Sequence, residues 1–283
     1  MHSRYPNAPP ITLVQLATHT SGLGREPDNT ETYLSGAVAD WEKTLLAALP
    51  HTHYTNEPGT RFSYSNIGYA MLGAALSRAA GESYLDYIPK HIFQLLGMSH
   101  SALEWNSEMQ PHLAEGYQVS GPNSVDSETA QRENQTGRGY KVPNGAIYTT
   151  VGDLARFVSF LLGLGPEAVL KTASLERFQK QVAVPADVGL PSEYGIGFQV
   201  DRRDGYVAFG HDGCSGLHGD ATDQSAERSR SRGILERSGE SGRHRRPGAG
   251  HLVEVSGRTR CDSADGAELK IKPPNGPLPA ARS

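Results

Sequence analysis

No tryptophan, tyrosine or phenylalanine follows Phe209 in a chain of 283 residues. All 12 Tyr, 7 Phe and 2 Trp stand at or before that position, so the C-terminal stretch lacks the large rings that dominate a hydrophobic core. Cysteine is nearly missing. Only Cys214 and Cys261 occur, both in the ring-free part, which excludes a disulfide framework for the rest and says little about redox compartment. No stretch approaches the ~20 apolar residues of a membrane span. No charged, then apolar, then small-residue leader opens the chain, and the sequence leaves its compartment undefined. Hydrophobic residues make up 37%, low for one large domain, and the deficit lies mostly at the C-terminal end. Charge divides at the same place. Residues 1–213 hold 15 Lys/Arg against 22 Asp/Glu, whereas residues 214–283 hold 12 against 9. Two regions of different composition therefore meet near Gly213.

Several chemistries are also missing. There is no Gly-x-Ser-x-Gly elbow, no His-Glu-x-x-His and no phosphate-binding glycine loop. His51 and His53 could form a metal pair, but no third ligand stands at a suggestive spacing, and surface histidines are the simpler reading. No cofactor is implied. Ser21 beside His19, and Ser215 near His211, read as turn residues rather than Ser–His pairs.

The stretch Pro58–Gly73 is what the rest is organised around. It opens as a Pro-Gly turn, passes through Phe62 to Asn66, and then becomes helical, with Ile67, Met71, Leu72, Ala75, Leu76 and Ala79 recurring at helix spacing. Tyr64-Ser65-Asn66 thus sits where a loop enters a helix, a place that can present polar side chains at a cleft edge. The plainer reading is a helix entrance capped by Asn66. Before it, Ile11–Ala17 reads as a short helix capped by Thr12, with Leu13, Leu16 and Ala17 as its apolar face and Gly22 as a left-handed residue at its end. Residues 24–40 read as a polar loop, and Trp41–Leu49 as a second helix closed by Pro50. After Gly81, Ser83-x-x-Asp86 caps a helix through Tyr84, Tyr87, Ile88, Ile92 and Phe93 in which Pro89 is only a mild break. Residues 104–142 are mostly loop. Thr150-x-x-Asp153 caps an amphipathic helix carrying Leu154, Ala155, Val158, Leu161 and Leu162. Tyr194–Val200 and Tyr206–Gly210 read as an antiparallel hairpin turned by Asp204-Gly205, with His211-Asp212-Gly213 at its exit.

Four segments, Ile11–Leu23, Pro58–Leu103, Asn144–Leu162 and Tyr194–Gly213, together resemble the β-lactamase-related serine hydrolases, the family of class C β-lactamases, penicillin-binding D-Ala peptidases and related esterases. The resemblance covers most of residues 11–213 and none of 214–283. It implies an α/β (α+β) fold of the β-lactamase/transpeptidase type, with a helical region and an antiparallel sheet. It also implies acyl-serine hydrolysis of an ester, D-amino peptide or related amide. Tyr64-Ser65-Asn66 matches the family's Tyr-x-Asn element, making Tyr64 the prospective base or proton shuttle and Asn66 the residue that orients a substrate amide, with Ser65 between them. His211-Asp212-Gly213 matches the edge-strand triplet in its His-x-Gly form, the opposite wall of the substrate cleft. A tyrosine with an ordinary pKa near 10 is a base at neutral pH only beside a cation.

The family's third element is not there. None of the seven lysines has a serine three residues before it, so the chain holds no Ser-x-x-Lys, the helical turn that supplies nucleophile and lysine. The family order places that motif ahead of Ile11–Leu23, so the chain is expected to start inside the domain and to lack the nucleophile. Residues 1–213 are read as a partial domain whose strands at 194–210 have unpaired edges, and marginal stability follows. Residues 214–283, with Ala226–Arg232 and Arg243–Pro247 as their Arg-rich runs, are expected to be disordered or translated out of frame after a frameshift near Cys214–Asp220. The flanking and alternative-frame DNA decides between these. With a small positive excess and no stacking rings, the tail is not expected to bind nucleic acid specifically. The expected partner is a small-molecule ester, amide or peptide substrate.

Overall fold

The computed structural model describes residues 10–114, 137–180, 193–203 and 206–211, with residues 5 and 7 and the short stretches 118–121, 124–126, 182–184, 227–228, 235–238 and 259–260. A helical body and an antiparallel sheet are present, as the resemblance implies.

The first helix, α1 (Leu13–Ala17), starts at Thr12, whose hydroxyl accepts from the Gln15 N–H while the Gln15 side chain returns to the Thr12 N–H. Leu16 and Ala17 are buried, but Leu13 is 47% exposed. The helix ends at Thr18, ahead of Gly22. Two residues in the following turn take left-handed backbone, His19 (φ 56°) and Gly22 (φ 75°). At Gly22 a Cβ would collide with the Asn56 carbonyl, so the turn needs a glycine there. Residues 24–40 contain the short 3-10 turns Thr30–Tyr33 and Val38–Asp40, and α2 (Trp41–Ala48) runs into a further turn, Leu49–His51, that includes Pro50.

Helix α3 (Asn66–Ala80) is the longest described, and Gly81 ends it in left-handed backbone (φ 67°). Its cap is Ser65, not Asn66: the Ser65 hydroxyl accepts from the Gly68 N–H at 3.0 Å, and Asn66 is the first helical residue. Its buried stripe also differs from the apolar pattern. Ile67, Ala70, Gly73 and Ser77 face inward, while Leu76 is 49% exposed and Ala79 is exposed. The reason is close approach. A Cβ on Gly73 would lie 2.5 Å from the Pro143 ring, so α3 packs too tightly for a larger side chain on that face. Ser83 caps α4 (Tyr84–Ile88) as its spacing implies, accepting from the Asp86 N–H. Pro89 opens a wide π-type turn, Pro89–Phe93, before α5 (Gln94–Leu96). The helix Val151–Ser159 is capped by Thr150, and it buries Val158 and Asp153.

The strands β1 (Gln118–Gly121) and β2 (Ser124–Asp126) pair within the 104–142 stretch, and the short helix Val142–Gly145 begins where it ends. The main sheet contains β3 (Val182–Val184), β4 (Glu193–Gly195), β5 (Gln199–Arg203), β6 (Tyr206–Gly210) and β8 (Leu235–Ser238) in the order β3-β4-β5-β6-β8, with all pairs antiparallel; β7 (Glu227–Arg228) pairs separately with β9 (Thr259–Arg260). An antiparallel hairpin ends at β6, but its first strand is Gln199–Arg203, with Val200 opposite Phe209, rather than Tyr194–Val200, and Asp204-Gly205 lies outside the described residues. Tyr194–Val200 is not one strand. It bends at Gly197 (φ 79°), so β4 folds back onto β5. The edges expected to be open are covered: β3 lies on β4, and β8 lies on β6. The rest of residues 214–283, including Cys214 and Cys261, lies outside the described residues.

Two hydrophobic clusters hold the body. One joins α1, α2 and α3 through Leu16, Leu23, Trp41, Leu45, Ile67 and Tyr140. The other places Val200 and Phe209 of the sheet against Phe93, Leu96, Phe160 and Leu161. Helices and sheet also meet at one atom, the Ala17 carbonyl, which accepts from the Gly197 N–H at 3.2 Å and from the Tyr69 hydroxyl at 2.7 Å.

Candidate active site

Tyr64 and His211 are 147 positions apart, yet the Tyr64 hydroxyl lies 3.4 Å from His211 Nε2. The turn after α1 makes this possible. Thr18 donates its hydroxyl to the Val14 carbonyl at 2.7 Å, so the 2.9 Å contact between Thr18 and Thr20 takes its proton from Thr20. The His19 carbonyl accepts from the Ser63 N–H at 2.7 Å, and His19 Nδ1 accepts from the Ser65 N–H at 3.0 Å. The backbone on both sides of Tyr64 is therefore held, and its ring lies 4.1 Å from the His19 ring. From the sheet, the β4 bend brings Tyr194 to 4.9 Å from His19, and the end of β6 brings His211 to 5.9 Å from the Tyr64 ring.

His19 is the centre of this aromatic cluster. It is 1% exposed, and Tyr69 and Phe62 complete its surroundings at 4.6 and 5.6 Å. The Ser65 N–H on Nδ1 fixes the neutral tautomer that carries its proton on Nε2. Among the described residues that Nε2 has no hydrogen-bond partner. Burial, and then the positive charge of His211 and Arg25, push the imidazole down to about 3 from the ordinary 6.5, so His19 is neutral at physiological pH. Burial also pushes the Tyr69 phenol up to about 12 and the Tyr194 phenol up strongly. The Tyr194 hydroxyl is buried beside Tyr69 with no hydrogen bond of ordinary geometry.

The positions singled out in the sequence divide as follows. Tyr64 and His211 come together, and Asn66 stands two positions after Tyr64 at the start of α3. Ser65 does not face a ligand. It is fully buried, and its hydroxyl donates to the Gly24 carbonyl at 2.8 Å while accepting from Gly68. Asn66 turns its amide nitrogen to Glu26 Oε1 at 2.5 Å, and its carbonyl accepts from Asn144 Nδ2 at 3.0 Å. Asp212 and Gly213 lie outside the described residues. Ser21 is buried as a turn residue, its hydroxyl accepting from the Leu23 N–H at 3.4 Å.

Sequence reasoning missed two charged neighbours. Arg25 holds its guanidinium 5.1 Å from the Tyr64 ring centre, so a cation does stand beside this tyrosine. Glu26 holds Asn66. Both follow the Thr-His-Thr-Ser-Gly turn after Leu23 and Gly24, and the Arg25 carbonyl is bound by the N–H groups of Asn66 and Ile67, at 2.9 and 3.4 Å. In the sequence Arg25 and Glu26 are only a charged pair beside Gly24, within a polar loop. His53 pairs with Asp28 at 3.2 Å, and no group of three or more His, Cys, Asp or Glu side chains suited to a metal exists among the described residues. No described helix is long and apolar enough to cross a membrane.

Residues 3–223 match the Beta-lactamase family, and the chain belongs to that family. It is 28% identical over 212 residues to Penicillin-binding protein 4 of Amycolatopsis lactamdurans, covering 73% of this chain and 54% of that protein. It is 29% identical over 162 residues to Beta-lactamase-like protein 4 of Dictyostelium discoideum, covering 54% of this chain and 27% of that one. The chain thus spans about half or less of the length of these relatives. Among solved structures, D-amino acid amidase from Ochrobactrum anthropi SV3 complexed with L-phenylalanine superimposes with a TM-score of 0.58 at 21% identity, over 82% of this chain and 63% of that one. A class C beta lactamase gives 0.57 at 18% identity, over 80% and 62%. These likenesses establish the β-lactamase/transpeptidase-like fold.

Proposed function

We propose that these residues carry the ligand-facing side of an acyl-serine hydrolase site for an amide, D-amino peptide or related ester, and that they do not form an acyl-enzyme by themselves. The observation that carries the reading is the Tyr64–His211 contact at 3.4 Å, which joins the Tyr-x-Asn turn to the end of β6, an inner strand flanked by β5 and β8 rather than the edge strand expected. A phenol and an imidazole at that separation can exchange a proton beside a bound ligand. The solved D-amino acid amidase complexes and the penicillin-binding relatives make acyl compounds of D-amino acids the substrate class to try first.

A second reading, a non-catalytic binding module of the same fold, is favoured by one observation: no Ser-x-x-Lys occurs in the 283 residues. Covalent labelling separates the two. A fluorescent penicillin and a fluorophosphonate should leave no adduct on this chain, and an adduct mapped to any of its serines would return the nucleophile to it. Non-covalent recognition is read by NMR. D-phenylalanine amide should shift the Tyr64 and His211 resonances saturably in the wild type and not in Tyr64→Phe. Absence of any saturable shift would overturn the assignment of this site.

A further inference from the structure

His19 is costly in ways that packing alone does not explain. Among the described residues it is one of two other than glycine with left-handed backbone (φ 56°), the second being Asn29. That conformation is strained for a residue with a Cβ, and such residues cluster at working sites. The Nε2–H is also buried without a hydrogen-bond partner among the described residues. What the residue delivers is contact with three consecutive positions. Its carbonyl accepts from the Ser63 N–H at 2.7 Å, its ring lies 4.1 Å from the Tyr64 ring at a tilt of 33°, and its Nδ1 accepts from the Ser65 N–H at 3.0 Å. Donors two residues apart that face one neighbour are what an extended strand presents along one edge, and Ser65 is extended (φ −135°, ψ 108°). A partner strand would meet the second donor with another main-chain carbonyl. Here the chain has turned away: the Thr20 N–H returns to the Gln15 carbonyl, and the Thr20 carbonyl accepts from the Gly59 N–H. The imidazole nitrogen stands in for the strand carbonyl. The neighbouring bonds, from the Ser65 hydroxyl to Gly24 and from the Asn66 N–H to Arg25, hold the start of α3 rather than Tyr64.

We propose that His19 is the positioning residue of this site. It sets the Tyr64 phenol against His211 by holding the Tyr64 ring and the peptide on either side of it. At 1% exposure it acts through Tyr64 and does not meet a ligand itself. The acceptor at Nδ1 is the atom that matters. A side chain that offers an acceptor from left-handed backbone can therefore replace the imidazole, and one that offers none cannot. The part of this that concerns ligands rests on the reading that they bind beside Tyr64 and His211. The positioning part does not.

NMR on the full chain tests it. In 15N-labelled wild type, a scalar coupling across the hydrogen bond should connect the Ser65 amide nitrogen with His19 Nδ1. An NOE should connect the Tyr64 and His211 ring protons. Absence of the coupling overturns the proposal, whatever the variants do. Asparagine and glycine both tolerate the backbone at position 19, but only asparagine can accept from Ser65. His19→Asn should keep the Tyr64–His211 NOE. His19→Gly should lose it and move the Ser65 amide proton upfield, while the Val200–Phe209 cross-peaks of the sheet persist. An NOE kept in His19→Gly, or lost in folded His19→Asn, overturns positioning through Nδ1. If His19→Gly does not fold, the wild-type coupling and the His19→Asn NOE decide. For ligands, D-phenylalanine amide should bind roughly tenfold more weakly to His19→Gly and lose less with His19→Asn. Equal losses overturn the role of the acceptor in recognition. If the wild type does not bind the amide, the proposed function falls, and the coupling and NOE still decide whether His19 holds Tyr64.

Discussion

Protonation of His19 should unfold this protein from the inside. The native imidazole takes a proton only near pH 3, whereas in the unfolded chain it does so at the ordinary 6.5. Between those values the unfolded state binds a proton that the native state refuses, so stability is complete above about pH 6.5 and falls as the pH drops toward 3. The slope reaches about 1.4 kcal/mol per pH unit, and the whole interval amounts to about 5 kcal/mol. That is comparable with the entire stability of a typical domain, about 5–15 kcal/mol. Carboxylates also titrate in this range, so the contribution must be isolated by a variant. His19→Asn is the suitable one. Asparagine tolerates the left-handed backbone at this position (φ 56°) and can accept from the Ser65 N–H, but it does not titrate. Urea unfolding midpoints for both proteins, taken at half-unit steps from pH 7.5 to 4.5 at constant ionic strength, give the comparison. The wild type should lose stability more steeply than His19→Asn by up to the slope above, although the variant starts lower at pH 7.5. Parallel pH profiles would refute the reasoning, as would an NMR titration of His19 near its ordinary value.

Other substitutions probe the packing. Gly73→Ala gains helix propensity worth about 1 kcal/mol but sets a methyl 2.5 Å from the Pro143 ring; a net loss of about 1–2 kcal/mol is expected in urea unfolding, and stabilisation would show that the Val142–Gly145 segment yields freely. Asp153→Ala removes a fully buried carboxylate that accepts from the His100 N–H at 2.7 Å, the Ser101 hydroxyl at 2.9 Å and Arg156 at 2.9 Å; about 3–5 kcal/mol should be lost, with amide exchange at residues 98–101 accelerating most. Gly139→Ala asks an alanine to hold φ 54° against the Tyr33 carbonyl, so it should lower the midpoint and disturb the Tyr140 side-chain signal; an unchanged spectrum would argue against that close approach.

The elements were legible where local chemistry decides them. Thr12, Ser83 and Thr150 each cap a helix through a hydrogen bond made within three residues, and Gly81 supplies its left-handed stop. The buried face of α3 was not legible, because it depends on how near Pro143 comes, and glycine, alanine and serine line it in place of leucine and methionine. The break at Gly197 was hidden inside an alternating stretch, since only its contact with Ala17 shows that the chain must turn there. Tyr64, Asn66 and His211 were singled out through the motif resemblance; Tyr64 and His211 lie in contact, while Asn66 is turned to Glu26. His19, Arg25 and Glu26 could not be weighed from the sequence. Their meaning lies in contacts across 39 to 192 positions, such as the Arg25–Tyr64 approach and the His19–His211 interaction.

The start of α3 has a consequence for charge. Its first four N–H groups are all taken: Asn66 and Ile67 donate to the Arg25 carbonyl, Gly68 to the Ser65 hydroxyl, and Tyr69 to the Ser65 carbonyl at 3.3 Å. A helix begins with partial positive charge that can cradle an anion when those groups point outward. Here peptide and hydroxyl oxygens stopper that end, so the longest described helix offers its dipole to the protein's own backbone. A negative charge that develops on a ligand beside Tyr64 must find its donors in side chains.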